Sequence, residues 1–230
     1  MGGCESYFAG AETSGDSPDV AAGKPRKKNK KATPSLGQKP YLLDAYTAES
    51  LCPVNMRALC TLPDGVDKAE WIASHTVAFF HLINVLSSTL SEFCTTQTCP
   101  TARGPGNRTF YWTDEYGKKV SCSGPLYTSY IMCYIRELLA DQEVFPTKPG
   151  SSFPMGYTFL AQRIFLYLSH TLAHLYWAHF QHLVALEMHT HLNTVFTHFT
   201  LFGREFQLLD WADTEPLEDL FLALTRHQDM

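Results

Sequence analysis

Forty-six consecutive residues, Tyr157 to Phe202, contain neither glycine nor proline. Such a segment favours helix, because these two residue types are the least favourable in helix interiors. A single helix of this length would exceed the usual range of roughly 8 to 20 residues. We therefore predict two long helices with a break near His189 to Asn193, where His, Thr and Asn are weak helix formers.

The remaining segments alternate between helical and loop-like patterns. Apolar residues recur at helical spacing from Ile72 to Phe93, and Asp67 with Glu70 forms a capping-box signature before them. The other predicted elements are a β-hairpin over Phe110–Cys122, a helix from Pro125 to about Ala140, an extended loop over Phe145–Gly156 and a last helix from near Thr214. The predicted fold class is mainly α: a bundle of long packed helices with one small β-hairpin.

Composition divides the chain at about residue 40. Residues 1–40 are rich in Gly, Ser, Ala, Pro and Lys and are predicted to be a disordered basic tail, whereas residues 41–230 are predicted to form one folded domain. Within that domain, Ile164 to Leu186 has 23 residues without a formal charge, long enough to span a bilayer. Because His, Ser, Thr and Gln side chains would surround such a helix, we expect it to be buried in protein instead.

The charges of the chain are unevenly distributed. The first 39 residues carry seven basic and four acidic side chains, a net of +3. The other 191 carry 11 basic and 19 acidic ones, a net of −8. An acidic body lacks the basic face that nucleic acid requires, so we expect no nucleic-acid partner.

The N-terminus carries a lipidation pattern. MGGCES fits the signal for myristoylation of Gly2, and the nearby Cys4 is a candidate for palmitoylation. A second acyl chain or a polybasic segment makes such attachment stable, so the pattern predicts an anionic membrane surface as a partner. The alternatives are a chance match in a disordered tail or a nuclear-import signal. We therefore expect a cytoplasmic protein, with membrane association through the N-terminus and a nuclear location as the two alternatives. The polybasic residues are Lys24, Arg26, Lys27, Lys28, Lys30 and Lys31.

Cysteine and histidine pairs indicate a metal site. Cys94 and Cys99 form a C-x4-C pair, and zinc is commonly bound by two thiolates and two imidazoles. On a regular helix His170 and His174 share a face, whereas His174 and His179 lie about 140° apart, so spacing alone leaves both pairs open. The alternative is that these histidines are hydrogen-bonded core residues. Four protein ligands would complete the tetrahedron, which is typical of one structural zinc.

Four segments resemble the Mob/phocein family of kinase-regulating adaptors: FFHLINVLSSTLSEFC, HLYWAHF, HLNTVFTHFTLFGREFQLLD and EVFPTKPGSSFP. The resemblance covers roughly Pro63 to Leu222, and YWAHF together with DEYGKKVSC is most similar to the second Mob subgroup. It implies a helical fold with one structural zinc. The ligands that it implies are Cys94, Cys99, His174 and His179.

The resemblance also implies a partner, the basic N-terminal regulatory segment of NDR/LATS-type AGC kinases. An acidic body would attract such a segment electrostatically. Each implied contact has a structural alternative: Asp67 and Glu70 as helix caps, Trp71 as a packing residue and His198 as a core histidine. The implied contacts are Asp67, Glu70, Trp71, Ser74, Phe145, Pro146, Lys148 and His198.

The sequence differs from the first Mob subgroup at two places, and each difference narrows the range of partners that we expect. Leu166, Tyr167 and His170 occupy the positions of its phosphopeptide-binding basic cluster and cannot form arginine forks, so we expect weak or no phosphopeptide binding. Ala78 replaces the Asp associated with LATS-type kinases, so we expect NDR-type kinases to be preferred over LATS-type ones.

The sequence contains no recognisable catalytic motif, and we name no catalytic residue. Two competing hypotheses are a zinc hydrolase with Glu187 or Glu205 as its base, and a membrane-tethered scaffold that acts mainly through its lipidated tail. The direction of regulation is open. A protein that competes with an activating relative for one kinase segment would inhibit rather than activate.

Overall fold

The structure is a computed structural model that describes residues 39–49, 51, 55–148 and 150–226. The predicted lipidation sites Gly2 and Cys4, the polybasic run from Lys24 to Lys31 and the predicted disordered tail up to residue 38 lie outside the described residues. Those predictions therefore remain predictions.

The described chain is mainly helical, as predicted. Its helices are α1 (Asp44–Thr47), α2 (Met56–Cys60), α3 (Lys68–Ser88), α4 (Gly124–Ala140), α5 (Tyr157–Ala178), α6 (Phe180–Ala185), α7 (His189–Glu205), α8 (Trp211–Thr214) and α9 (Glu218–Thr225). Its strands are β1 (Arg103–Gly104), β2 (Arg108–Thr109), β3 (Tyr111–Thr113) and β4 (Lys119–Ser121). Short 3₁₀ turns cover Pro40–Leu42, Pro105–Asn107 and Glu215–Leu217.

Helix α5 runs through the core and contacts α3, α4 and β1. Residues 171–176 are all buried, as expected for a helix that is apolar on most of its circumference. The Phe165 ring of α5 lies 4.9 Å from Phe199 of α7 and 5.9 Å from Phe79 of α3. An aromatic core thus joins α3, α5 and α7. Within the described ranges, no helix is both long and apolar enough to cross a membrane.

The predicted hairpin is confirmed. Strands β3 and β4 pair antiparallel, with Tyr111 opposite Ser121 and Thr113 opposite Lys119. The turn between them uses Gly117 at a φ of 77°, a left-handed conformation that glycine adopts without strain. β1 and β2 form a second, two-residue pair that the sequence did not reveal.

The first long helix is shorter than predicted. Asp67 caps it as expected, but α3 ends at Ser88 instead of continuing to Phe93. The hydroxyls of Ser88 and Thr89 donate to the carbonyls of Asn84 and Leu86, at 2.7 and 2.8 Å. Such local side-chain bonds compete with helix continuation.

The predicted break between the later helices was wrong in position, because residues 189–193 lie inside α7. The chain leaves α5 at His179, with a φ of −128° and ψ of 6°, and α6 ends at Ala185, two residues before Glu187, whose φ is 57°. Tertiary contacts compensate for weak helix formers in α7. Buried Asn193 accepts a hydrogen bond from the Tyr176 hydroxyl and donates one to the Tyr46 carbonyl, both at 2.8 Å.

Phe165→Ala is expected to lower the free energy of unfolding by about 3–5 kcal/mol, because it removes a fully buried ring from the aromatic core. The matched control is Phe159→Ala, two turns earlier in α5, where the ring is 76% exposed and the change should be within about 0.5 kcal/mol. Denaturant unfolding measures both, and equal losses would contradict this assignment of the core.

Candidate metal centre and partner surface

The two cysteines lie in a tightly hydrogen-bonded loop directly after α3. The Thr98 hydroxyl donates to the Phe93 carbonyl at 2.6 Å and accepts from the Thr95 amide at 2.9 Å. The Cys99 carbonyl accepts a hydrogen bond from the Gly124 amide at 2.8 Å, which ties the loop to the start of α4. The positions of both thiols are thereby restricted.

The two histidines approach these thiols from the end of α5. His174 Nε2 lies 3.5 Å from Cys94 Sγ, and His179 Nε2 lies 3.3 Å from Cys99 Sγ. The four ligand atoms all lie within 4.8 Å of one another. The structure therefore brings together the i, i+5 pair and leaves His170 out.

These distances fit a tetrahedral zinc site. A zinc ion with bonds of about 2.3 Å to sulfur and 2.05 Å to nitrogen would separate the two donor atoms by about 3.6 Å. The second nitrogen of His174, Nδ1, lies 2.8 Å from the Arg103 carbonyl, which assigns its proton to Nδ1 and leaves Nε2 free as a ligand. The cluster is compatible with a single Cys2His2 metal site.

The local electrostatics also fit a cation. Burial, together with the neighbouring Cys99, raises the pKa of the Cys94 thiol to about 12. Burial lowers the pKa of His179 to about 4, with His174 and His182 adding to the effect. The imidazoles are therefore neutral, and a divalent cation would supply the missing positive charge and displace the thiol protons.

Gly124 is part of this site, although sequence reasoning assigned it only to a helix start. A Cβ at this position would lie 2.8 Å from His174 Nε2 and 2.9 Å from Cys99 Cβ. Only glycine leaves room for both ligands. In the sequence Gly124 stands just before a helix-opening proline, and that position did not indicate that it lies at a metal site.

The acidic residues of the hydrolase hypothesis lie elsewhere. Glu187 lies in the turn after α6 and Glu205 ends α7, and both are exposed. Among the residues that the structure describes, the metal cluster contains no carboxylate. Four protein ligands complete a tetrahedron, which is typical of a structural site.

His170 belongs to a neutral aromatic cluster. Its Nδ1 lies 2.7 Å from the Tyr127 hydroxyl, and its ring stacks on Phe110 at 4.2 Å. Burial, together with the charge of Arg108, lowers the pKa of His170 to about 3. Neighbouring Tyr167 is also buried, and Leu166 is half-buried. Neither these two side chains nor a neutral imidazole offers the charge that grips phosphate.

The predicted partner contacts in α3 lie at its first two turns. Asp67 Oδ1 accepts hydrogen bonds from the amides of Ala69 and Glu70, at 2.8 and 3.1 Å, so the capping role of Asp67 is real. Asp67, Glu70 and Ser74 are exposed, whereas Trp71 is half-buried.

The structure connects two of the other predicted contacts through a residue that sequence reasoning missed. The His75 ring lies 4.2 Å from Trp71 and 5.8 Å from His198 of α7. His198 is half-buried and packs on Phe79 at 4.9 Å. This packing agrees with the alternative to partner binding, in which His198 is a core histidine. The i, i+4 spacing of Trp71 and His75 was the signal available for this contact.

The predicted loop contacts are anchored through Tyr157. Phe145 is buried and its ring lies 5.4 Å from Tyr157, whose hydroxyl faces Thr76 of α3. Pro146 is half-buried and Lys148 is exposed. The loop thus folds back towards the first half of α3. The partner role of these residues stays a prediction.

Comparison with known proteins places these features in context. Residues 48–217 match a family profile described as "Mob1/phocein family". MOB kinase activator 2 of Mus musculus is 45% identical over 194 residues, 84% of this chain and 82% of that protein. The Homo sapiens protein of the same name is also 45% identical over 194 residues, 81% of its length. MOB kinase activator-like 2 of Drosophila pseudoobscura pseudoobscura is 40% identical over 220 residues, which cover 39% of that longer protein.

Elemental analysis of the purified full chain is expected to find one zinc per molecule. His179→Ala removes one of the four ligands, so we expect zinc content near zero and a lower melting temperature. His182→Ala is the matched control, since His182 lies one turn further on and is outside the ligand cluster. Zinc loss from both variants, or from neither, would contradict the assignment.

The stability of the chain is expected to fall below about pH 6.5 because of His170. Its folded pKa of about 3 lies below the unfolded value of 6.5, so the unfolded state binds more protons as the pH falls. This contribution to stability is complete above pH 6.5 and is lost progressively towards pH 3. At pH 4.5, His170→Gln should recover on the order of 2 kcal/mol relative to its effect at pH 7.5, measured by denaturant unfolding. A pH-independent difference between the two proteins would refute this.

Proposed function

Because the chain belongs to the Mob1/phocein family, we propose that it is a non-catalytic adaptor that binds and regulates NDR-type AGC serine/threonine kinases. Family membership itself implies a kinase-regulatory role. The binding target in this proposal is the basic N-terminal regulatory segment of the kinase. The observation that carries it is the exposed acidic start of α3 beside a half-buried tryptophan.

Charge supports this partner. The chain from residue 40 onwards has a net charge of −8, and Asp67 and Glu70 are both exposed at the N-terminal end of α3. A basic segment would be steered towards this end by complementary charge. The amides that Asp67 caps restrict its orientation but leave part of the carboxylate accessible.

Apolar contacts support a defined docking position on the same surface. Trp71 is packed against His75, so its indole is held in place before any partner arrives. Arg and Lys side chains stack favourably on tryptophan, which suits a basic segment. Among the predicted loop contacts, buried Phe145 packs on Tyr157 and would hold the loop in place, whereas Pro146 is only half-buried.

The preference for NDR-type over LATS-type kinases rests on Ala78. This residue is exposed on α3, two turns after Glu70, and has no group that could accept a charge-assisted hydrogen bond. Weak or absent phosphopeptide binding rests on Leu166, Tyr167 and His170, which offer no guanidinium fork, and on the burial that keeps the His170 imidazole neutral.

A single structural zinc completes the proposal. Its ligands would be Cys94, Cys99, His174 and His179, which connect the loop after α3 to the end of α5. Zinc would thereby hold α3 against the core from the end opposite to the docking surface, without an open coordination position for chemistry.

The test is a binding titration of the full chain with N-terminal segments of NDR-type and LATS-type kinases. We expect the NDR-type segment to bind more tightly, and Glu70→Lys to weaken that binding roughly tenfold or more, because it replaces an attractive carboxylate by a like charge. Glu115→Lys, the same change at the exposed hairpin turn, is the matched control and should change affinity less than about twofold.

Two outcomes would count against the proposal. Failure of the unaltered chain to bind either segment would reject the adaptor role. Equal weakening by Glu70→Lys and Glu115→Lys would show that only net charge matters and would reject the docking position.

A further inference from the structure

His75 occupies the centre of an aromatic cluster between α3 and α7. Its ring is stacked on Phe202 at 4.3 Å with an angle of 13° between the planes, and Trp71 lies on another side at 4.2 Å. His198 approaches edge-on at 5.8 Å. With Phe79 at 6.1 Å, contacts with four rings restrict both the position and the tilt of the imidazole.

One hydrogen bond determines which ring nitrogen of His75 carries the proton. Nδ1 lies 3.0 Å from the Trp71 carbonyl oxygen, which can only accept, so Nδ1 is the donor. In a neutral imidazole the other nitrogen, Nε2, then has a lone pair and no proton. Burial lowers the pKa of His75, although the bond to Trp71 opposes this, so the ring is neutral at physiological pH.

The polar atoms of this cluster lack partners in the part of the chain that the structure describes. Trp71 Nε1 and His198 Nε2 are fully buried there without a hydrogen bond. His75 Nε2 has no partner among the described residues either, but it is not enclosed in the same way, and the residue is half-buried. It is the accessible acceptor of the group, one turn after Trp71.

We propose that His75 is a partner-binding residue whose unprotonated Nε2 accepts a hydrogen bond from an arginine or lysine side chain of the basic kinase segment. This inference rests on the proposed function and deepens it. Carboxylates at Asp67 and Glu70 attract any basic segment, whereas an acceptor in a rigid aromatic frame requires a donor at one position and in one direction. His75 would therefore contribute to the choice of segment and its register on α3.

Two substitutions separate hydrogen bonding from packing. His75→Phe keeps an aromatic ring between Trp71 and Phe202 but removes both nitrogens. We expect it to weaken binding of the NDR-type segment roughly fivefold or more, with no drop in melting temperature. His75→Gln restores an acceptor near the position of Nε2 and should bind within about threefold of the unaltered chain.

The matched control is His81→Phe, the same change at an exposed histidine of α3, which should leave the affinity unchanged. Unaltered binding by His75→Phe, when the unaltered chain binds, would overturn the role of His75 alone. Absence of binding by the unaltered chain would instead reject the proposed function.

Nitrogen-resolved NMR of the histidine rings in the full chain gives a readout that packing does not supply. In the free protein we expect a protonated Nδ1 and an unprotonated Nε2 for His75. Adding the NDR-type segment should move the Nε2 resonance towards that of a hydrogen-bonded nitrogen. A protonated Nε2 in the free protein would overturn the inference, whether or not the kinase segment binds to the chain.

Discussion

The convergence of two thiols and two imidazoles at the ends of α3 and α5 constrains the whole helical frame. Cys94 and Cys99 follow α3, whereas His174 and His179 end α5, so contacts between them join elements about 80 residues apart in sequence. Because Gly124 packs against the same ligands, the start of α4 is joined to the cluster as well. Three of the longer helices therefore have one end restricted by this single group of side chains.

Helix α3 has one face packed in the core and an opposite face exposed to solvent. One face buries Ile72, Phe79 and Ile83 in the core, where Phe79 contacts the rings of α5 and α7. The opposite face leaves Glu70 and Ser74 exposed to solvent. The cysteine loop follows one end of this helix, the aromatic core contacts its middle, and Asp67 caps its exposed end.

Local patterns predicted the elements that depend on local physics. Aromatic and β-branched residues on either side of a centre that contains Gly117 predicted the hairpin, and Asp67 predicted the start of α3, because turns and caps involve neighbouring residues. Helix propensity wrongly predicted a break at residues 189–193. Asn193 is held in α7 by hydrogen bonds with Tyr176 and Tyr46, which belong to other segments of the chain. The sequence also gave no sign that Trp71 and His198 are close together, because the ring of His75 lies between them and they belong to two different helices.

The sequence by itself determined which chemical groups are available: two thiols five residues apart, histidines at several spacings and an acidic body. It did not decide between His170 and His179 as the partner of His174, because residues five apart on a regular helix point in different directions. The tertiary structure decided this by ending α5 at Ala178, so that His179 leaves helical geometry and approaches Cys99, while His170 turns to Tyr127. At that helix end His179 meets Cys99, which lies 80 residues earlier in the chain, and no local pattern encodes a contact between segments so far apart.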